Sequence, residues 1–367
     1  MSLENRLGSM SLLGKLVFSL LLILFVGSAI GMLWKINNSF LVDVPRTGGS
    51  FTEGVIGLPR YINPVLAVTD GDKDIAALVY SGLMKYGSDG SLVPDLAESY
   101  TISPDGKMYT FTLQQNATFQ DGSPVTSDDI EFTVKTIQNP AIKSVVFANW
   151  AGVAIQKPDA RHIIFILSQP YAPFIENTTI GILPKHAWEA TNESNFSLSE
   201  LNIDPVGSGP YKVSSIKKTS NGIPTDYVLT PFKKHIPDQA KISEITISFY
   251  ANESALVEAY THHEIDSMNG ISPETASRFA DAGVPISESA LPRVFGVFFN
   301  QTGNLALADK TVRQALDLSV NRAYIVNTVL QGYGRPLSGP VPDSFVNLPQ
   351  ATTSVWYDQS MTAALSP

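Results

Sequence analysis

The stretch ATFQDGSPVTSDDIEFT, residues 117 to 133, gathers Asp121, Asp128, Asp129 and Glu131 into a short span. Carboxylates this close can ligate a divalent cation or form an acid/base pair. An EF-hand loop needs acids at alternate positions, then Gly, then a Glu at its twelfth position. Asp121 is followed instead by Gly-Ser-Pro. Local chemistry favours a scaffold. Asp121-Gly122 suits a tight turn. Thr126 suits a helix N-cap, with Asp129 three residues on completing a capping box in place of Glu or Gln. Asp128, Asp129 and Glu131 then sit in a first helical turn, where the helix dipole favours negative charge.

The other chemical candidates fail on spacing. Asp70, Asp72 and Asp74 match three EF-hand ligands, but Ile75 stands where Gly is needed and Ser81 where Glu is needed. His262-His263-Glu264 lacks the second His of a metalloprotease helix, because Ser267 occupies its place. Gly207-Ser208-Gly209 fits neither a phosphate loop nor a nucleophile elbow, since Lys212 stands at the last Gly position. Ser214 and Lys217 have the spacing of an acylation pair without its partner motifs. No metal site and no cofactor are expected. A hydrolase reading survives only on the acids near Asp70 and Asp121, so a non-enzyme is expected.

Composition narrows the classes further. The 367 residues carry 25 lysines and arginines against 34 acids, a formal charge of −9, which argues against a nucleic-acid partner. The absence of cysteine removes disulfides, thiolate metal sites and a lipidated cysteine anchor.

The elements that must position any site can be read from the patterning. Between Lys15 and Lys35 lie 19 uncharged residues, about 29 Å as a helix and close to the thickness of a bilayer core. Arg6 and Lys15 precede this run, which places the start in the cytoplasm and the rest outside. Met32, Leu33 and Trp34 prolong it, favouring an uncleaved signal anchor over a signal peptide cut between Val26 and Gly31. Residues 36–50 read as a tether. FTEGVIG, KMYTFTLQQ, RHIIFILSQ and KISEITISFY read as strands. TDGDKDIAALVYSGLMKY, SALVEAYTHHEI and KTVRQALDLSVNRAYIVNTVLQG read as helices, the last closed by Gly332. Helices and strands alternate throughout, an α/β pattern.

The order of these pieces resembles the bacterial extracellular solute-binding proteins of family 5, the dipeptide-, oligopeptide- and nickel-binding subunits of ABC importers. INPVLAVTDGDKDIAALVYSGLMKYGSDGSLVPDLAESYTISPDGKMYTFTLQQNATFQDGSPVTSDDIEFT is similar to the family's opening block. APFIENTTIGILPKHAWE, DPVGSGPYKV, EIDSMNGISPE, FGVFFNQ and TVRQALDLSVNRAYIVNTVLQGYGRP follow in family order. Gln114 and His263 depart from the pattern, where a basic residue and Gly are usual.

The resemblance implies a two-lobed periplasmic-binding-protein-like fold of type II with an extra accessory subdomain. Residues 1–35 would be the cytoplasmic start and membrane helix, and 36–50 a linker. Residues 51–90 and 199–285 would form the first lobe, 91–198 the accessory subdomain, and 286–367 the start of a second lobe. Relatives run well past this length, so the second lobe is expected to be incomplete, with Leu316, Val320, Ile325 and Val329 lacking cover and the region after about 285 open to proteases. Val68, Thr69 and Asp70 would meet the ligand backbone, although Asp70 also suits a helix N-cap. Phe295, Val297 and Phe299 would supply contacts from the strand entering the second lobe, although ordinary strand packing explains the same alternation. The implied function is capture of a peptide by lobe closure and delivery to ABC permease subunits. Nickel chelates or oligosaccharides are alternative ligands, and a tethered sensor without transport is an alternative role. The expected protein is a monomer, held at the cell membrane by its first helix, with the globular part extracytoplasmic.

Overall fold

The computed structural model describes residues 11–39, 46–236, 239–288 and 294–337. Arg6, part of the linker and the Pro-rich tail beyond residue 337 lie outside the described residues. Helix α1 runs Leu12–Ser39, and over Leu12–Ile36 it is long and apolar enough to cross a membrane by length and composition.

The globular part holds two larger sheets. The first has five strands in the order β11-β1-β10-β9-β8. These are β1 (Ser50–Ile56), β8 (Tyr211–Lys218), β9 (Pro224–Pro231), β10 (Glu244–Tyr250) and β11 (Ser267–Asn269). β1 pairs in parallel with both β10 and β11, while β9 is antiparallel to β10 and to β8. Alternation sorts the faces. Phe51 and Val55 of β1 pack into the main core. Gly54 lies so close to Leu256 and Ile265 that a Cβ there would stand 2.4 and 2.5 Å from their methyl groups. That close approach seats helix α4 (Glu253–Thr261) on the opposite face.

Helix α2 (Asp70–Val79) covers the core face with Ile75, Ala76 and Val79. It stops at Val79, earlier than its apolar spacing suggests. Leu83 stays buried, but in the segment leading into the small β2–β3 hairpin (Met84–Tyr86, Leu92–Pro94). The second large sheet has the order β4-β5-β7-β6 and is antiparallel: β4 (Ala97–Ile102), β5 (Met108–Leu113), β6 (Ala154–Asp159) and β7 (His162–Ile166). Tyr109, Phe111 and Leu113 point inward as the alternation predicts. Tyr109 and Phe111 form an aromatic cluster with Trp150, Phe165 and Phe174, whose neighbouring ring centroids lie 4.9 to 5.9 Å apart. Helix α3 (Ser127–Gln138) adds Ile130, Val134 and Ile137. One continuous core joins the two sheets.

Two expectations about the later chain are corrected. Residues 294–300 form no strand. A strand is stable only where its N–H and C=O groups find a neighbour, and no described strand lies beside this one. The single helix expected over 310–332 is broken. Helix α6 (Lys310–Leu318) ends where the Ser319 hydroxyl donates back to Leu316 O. Asn321 then caps a second short helical run through its side chain, which accepts from Tyr324 N at 2.9 Å. Ser and Asn compete for helix hydrogen bonds in this way and so break helices. Leu316, Val320, Ile325 and Val329 are exposed.

Helices α5 (Pro273–Asp281) and α4 are both started by side-chain caps, Ser272 and Asn252.

Candidate functional site

The residues PVLAVTDGDKD build a rim where the parallel strands β1 and β11 end. In open α/β sheets ligands meet the carboxyl ends of the strands. The N-cap of α2 is Thr69, not Asp70: its hydroxyl accepts from Asp72 N at 3.1 Å. Asp72 is fully buried, and its carboxylate accepts from Thr69 N, from Arg60 N at 2.7 Å and from Tyr61 N at 3.2 Å. One side chain therefore starts the helix and fixes the loop after β1. Val68 (58% exposed) and Asp70 are thereby left facing solvent at the helix start. Asp70 lies 3.9 Å from Lys73.

Behind this rim sits an acidic group that sequence spacing does not reveal. Asn269, the last residue of β11, donates from Nδ2 to Asp74 Oδ2 at 3.0 Å. Burial raises the Asp74 pKa, and the charge of Asp70 raises it further against Lys73 and the Asn269 bond. Burial likewise raises Glu53, on β1, with the charge of Asp74 adding to it. Asp74 had one visible signal, its place in TDGDKD; Glu53 and Asn269 had none. A carboxylate whose folded-state pKa lies above its unfolded value weakens the fold while ionised, and the penalty vanishes as pH falls through the raised value toward the ordinary one. Glu53→Gln is therefore expected to raise stability at pH 7, by less than about 1 kcal/mol because the site is partly solvated. Urea denaturation of both proteins should show this gain disappearing near pH 4.5, the ordinary glutamate value. An equal or lower stability of the variant at pH 7 would remove the argument.

The expected second contact set lies on the segment that forms no strand. Phe295 and Val297 are 93% and 79% exposed, and Phe299 is half-buried. The opening acidic stretch is scaffold. Asp129 Oδ2 accepts from both Thr126 N and Thr126 Oγ1, at 2.8 and 2.9 Å, and Asp129 Oδ1 accepts from Lys185 N. Asp128 and Glu131 share Lys157, and Glu131 also pairs with Lys135 at 2.7 Å.

Asp121, Ser123 and His186 meet in space, which invites comparison with a catalytic triad. The geometry is wrong for it. Asp121 Oδ2 and Ser123 Oγ both lie on His186 Nε2, at 2.6 and 3.3 Å, whereas a triad needs Ser and Asp on opposite ring nitrogens. Ser123 Oγ instead donates to Asp121 Oδ1 at 2.6 Å. Burial pushes the Asp121 pKa up, but the Ser123 and His186 hydrogen bonds outweigh it and leave the carboxyl below its usual value, which suits a turn lock better than a base. Among the described residues no cluster of His, Asp or Glu could hold a metal ion.

The chain matches the family model "Bacterial extracellular solute-binding proteins, family 5 Middle" over residues 91–365. It is 25% identical over 303 residues to the probable D,D-dipeptide-binding periplasmic protein DdpA of Escherichia coli, covering 78% of this chain and 55% of that protein. It is 26% identical over 297 residues to the oligopeptide-binding protein AppA of Bacillus subtilis, covering 79% and 53%. Its fold is similar to that of Campylobacter jejuni NikZ in complex with Ni(L-His), with a TM-score of 0.62 and 26% identity over 78% of this chain and 57% of that one. The chain thus spans little more than half the length of the relatives it matches.

Proposed function

The chain belongs to the bacterial extracellular solute-binding proteins of family 5, and from that premise we propose that it captures peptides outside the cytoplasm for an ABC transporter. The observation that carries the ligand class is the likeness, over almost four-fifths of the chain, to proteins described as dipeptide- and oligopeptide-binding. The rim supports it. Val68, Thr69 and Asp70 are held rigidly by Asp72 and offer an accessible edge to a peptide backbone, and main-chain pairing gives affinity with tolerance of side chains. Phe295, Val297 and Phe299 would close on the ligand from the other side of the cleft.

Residues 51–90 and 199–285 serve as the first lobe in this reading, 91–198 as the accessory subdomain and 286–367 as the opening of the second. Action is by lobe closure without chemistry. Shifting a two-state equilibrium from 1:99 to 99:1 needs about 5.5 kcal/mol of differential affinity for the closed form. Helix α1 stays in the protein as its anchor, with the permease as the membrane partner.

Mass spectrometry of ligands released from the protein purified from cells tests the ligand class. Short peptides of mixed sequence are expected. Recovery of metal chelates alone would favour the alternative that the likeness to NikZ supports, and recovery of sugars alone would overturn the peptide reading.

A further inference from the structure

The chain is acidic overall, yet one stretch reverses the balance. Between residues 211 and 241 stand Lys212, Lys217, Lys218, Lys233, Lys234 and Lys241, against only Asp226 and Asp238. All six lysines are exposed, and none of them forms an ion pair among the described residues. Strand β8 lies at the edge of its sheet. A bulge between Val213 and Ser215 keeps Val213 and Ile216 opposite the buried Leu229 and Tyr227. Lys212 and Lys217 fall opposite Thr230 and Asp226, on the outer face. Lys212, Lys233 and Lys234 line a groove of about 690 Å³. Among the described residues that line it, the one carboxylate, Asp121, is already engaged by Ser123 and His186.

The path of the tether is the second observation. Gly48 N donates to Lys241 O at 2.8 Å, and Ser243 N donates to Gly49 O at 3.1 Å. The first residues of the domain therefore pair with the segment that carries Lys241 and that ends in the groove at Ser243. Nine residue steps separate Ser39, the last of α1, from Gly48, a reach of at most about 30 Å. Free in solution, a lysine face feels a charged surface only within a screening length of about 8–10 Å. A short tether holds the face near the surface and raises its effective concentration there.

We infer that the face from Lys212 to Lys241 is a membrane-contact surface that takes the anionic phospholipid headgroups of the leaflet from which the domain emerges. The domain then sits with the β8 edge toward the bilayer. This rests on α1 acting as a membrane anchor. Lysines on an edge strand also deter strand pairing between molecules, but that role does not call for Lys233, Lys234 and Lys241, which lie beyond β9.

The protein has no cysteine, so a fluorophore on Ser215→Cys labels the outer face of β8 alone. The full chain is reconstituted in phosphatidylcholine vesicles with or without phosphatidylglycerol, each holding an acceptor dye on the headgroups. Flotation reads the anchor and energy transfer reads the contact. The chain should float with both vesicles. Transfer should be higher with phosphatidylglycerol, should fall as salt is added, and should be lost in a Lys233→Gln, Lys234→Gln, Lys241→Gln variant. A lysine near an anionic surface is worth about fivefold, so the three together account for up to about a hundredfold in the contact equilibrium. A floating chain with equal transfer in both vesicles overturns the contact surface and spares the anchor. A chain that floats with neither vesicle overturns both. Salt sensitivity of the unsubstituted chain stands as a measurement independent of how well the variant folds.

Discussion

Gly207→Ala is expected to destabilise the protein by about 3 kcal/mol or more, at the upper end of overpacking losses. A Cβ at Gly207 would stand 2.1 Å from Val79 O and 2.8 Å from Val79 C. Both are backbone atoms at the end of α2 and cannot swing aside as a side chain can. Nor can the loop retreat. Gly209 N donates to Val79 O at 2.8 Å, and Gln120 N donates to Gly207 O at 2.8 Å. Gly207 N donates to Gln120 Oε1 at 3.1 Å, while Gln120 Nε2 reaches Val79 O at 3.0 Å and Tyr211 O at 2.7 Å. Moving the loop would break this set, which ties the turn at Phe119–Ser123 to α2 and β8. Because net stability is about 5–15 kcal/mol, the loss is a large part of the total. Urea denaturation measures it directly. A change within about 0.5 kcal/mol, typical of surface positions, would show that the contact is relieved by some other movement. Gly207 and Gly209 are thus explained by close backbone packing, not by phosphate binding.

Asp72→Ala is the second large effect, with about 3–5 kcal/mol expected. Its carboxylate is the acceptor for three backbone N–H groups, those of Arg60, Tyr61 and Thr69. Each buried donor left without a partner costs about 1–3 kcal/mol, less where water can enter. The loss reaches the rim as well, because the loop at Arg60 and the cap at Thr69 are released together. Amide exchange at Arg60 and Tyr61 should quicken along with the fall in melting temperature. Unchanged protection in Asp72→Ala would mean that Asp72 is not what holds the loop.

Local chemistry was readable without any fold. The first helix follows from an uncharged run matched to a bilayer. The turn at Asp121 and the start of α3 at Thr126 follow from side chains that bond their own backbone within three residues. The inward set Tyr109, Phe111 and Leu113 follows from the two-residue period of a strand. Six ordered blocks were enough to indicate the family. All of these depend on residues close together in sequence, so their spacing carries the information.

What the sequence did not contain depends on residues brought together from far apart. The charge of Asp74 raises Glu53 because the fold brings the start of α2 close to β1, and Asn269 reaches Asp74 only because β11 pairs with β1. Pairing of β1 with β10, continued by the bond between Gly49 and Ser243, brings the start of the domain beside the lysine face. Phe295, Val297 and Phe299 alternate as a strand would, yet alternation supplies only one half of a ladder. Whether such a segment becomes a strand is decided by a partner with free N–H and C=O groups, and that is a property of the tertiary structure.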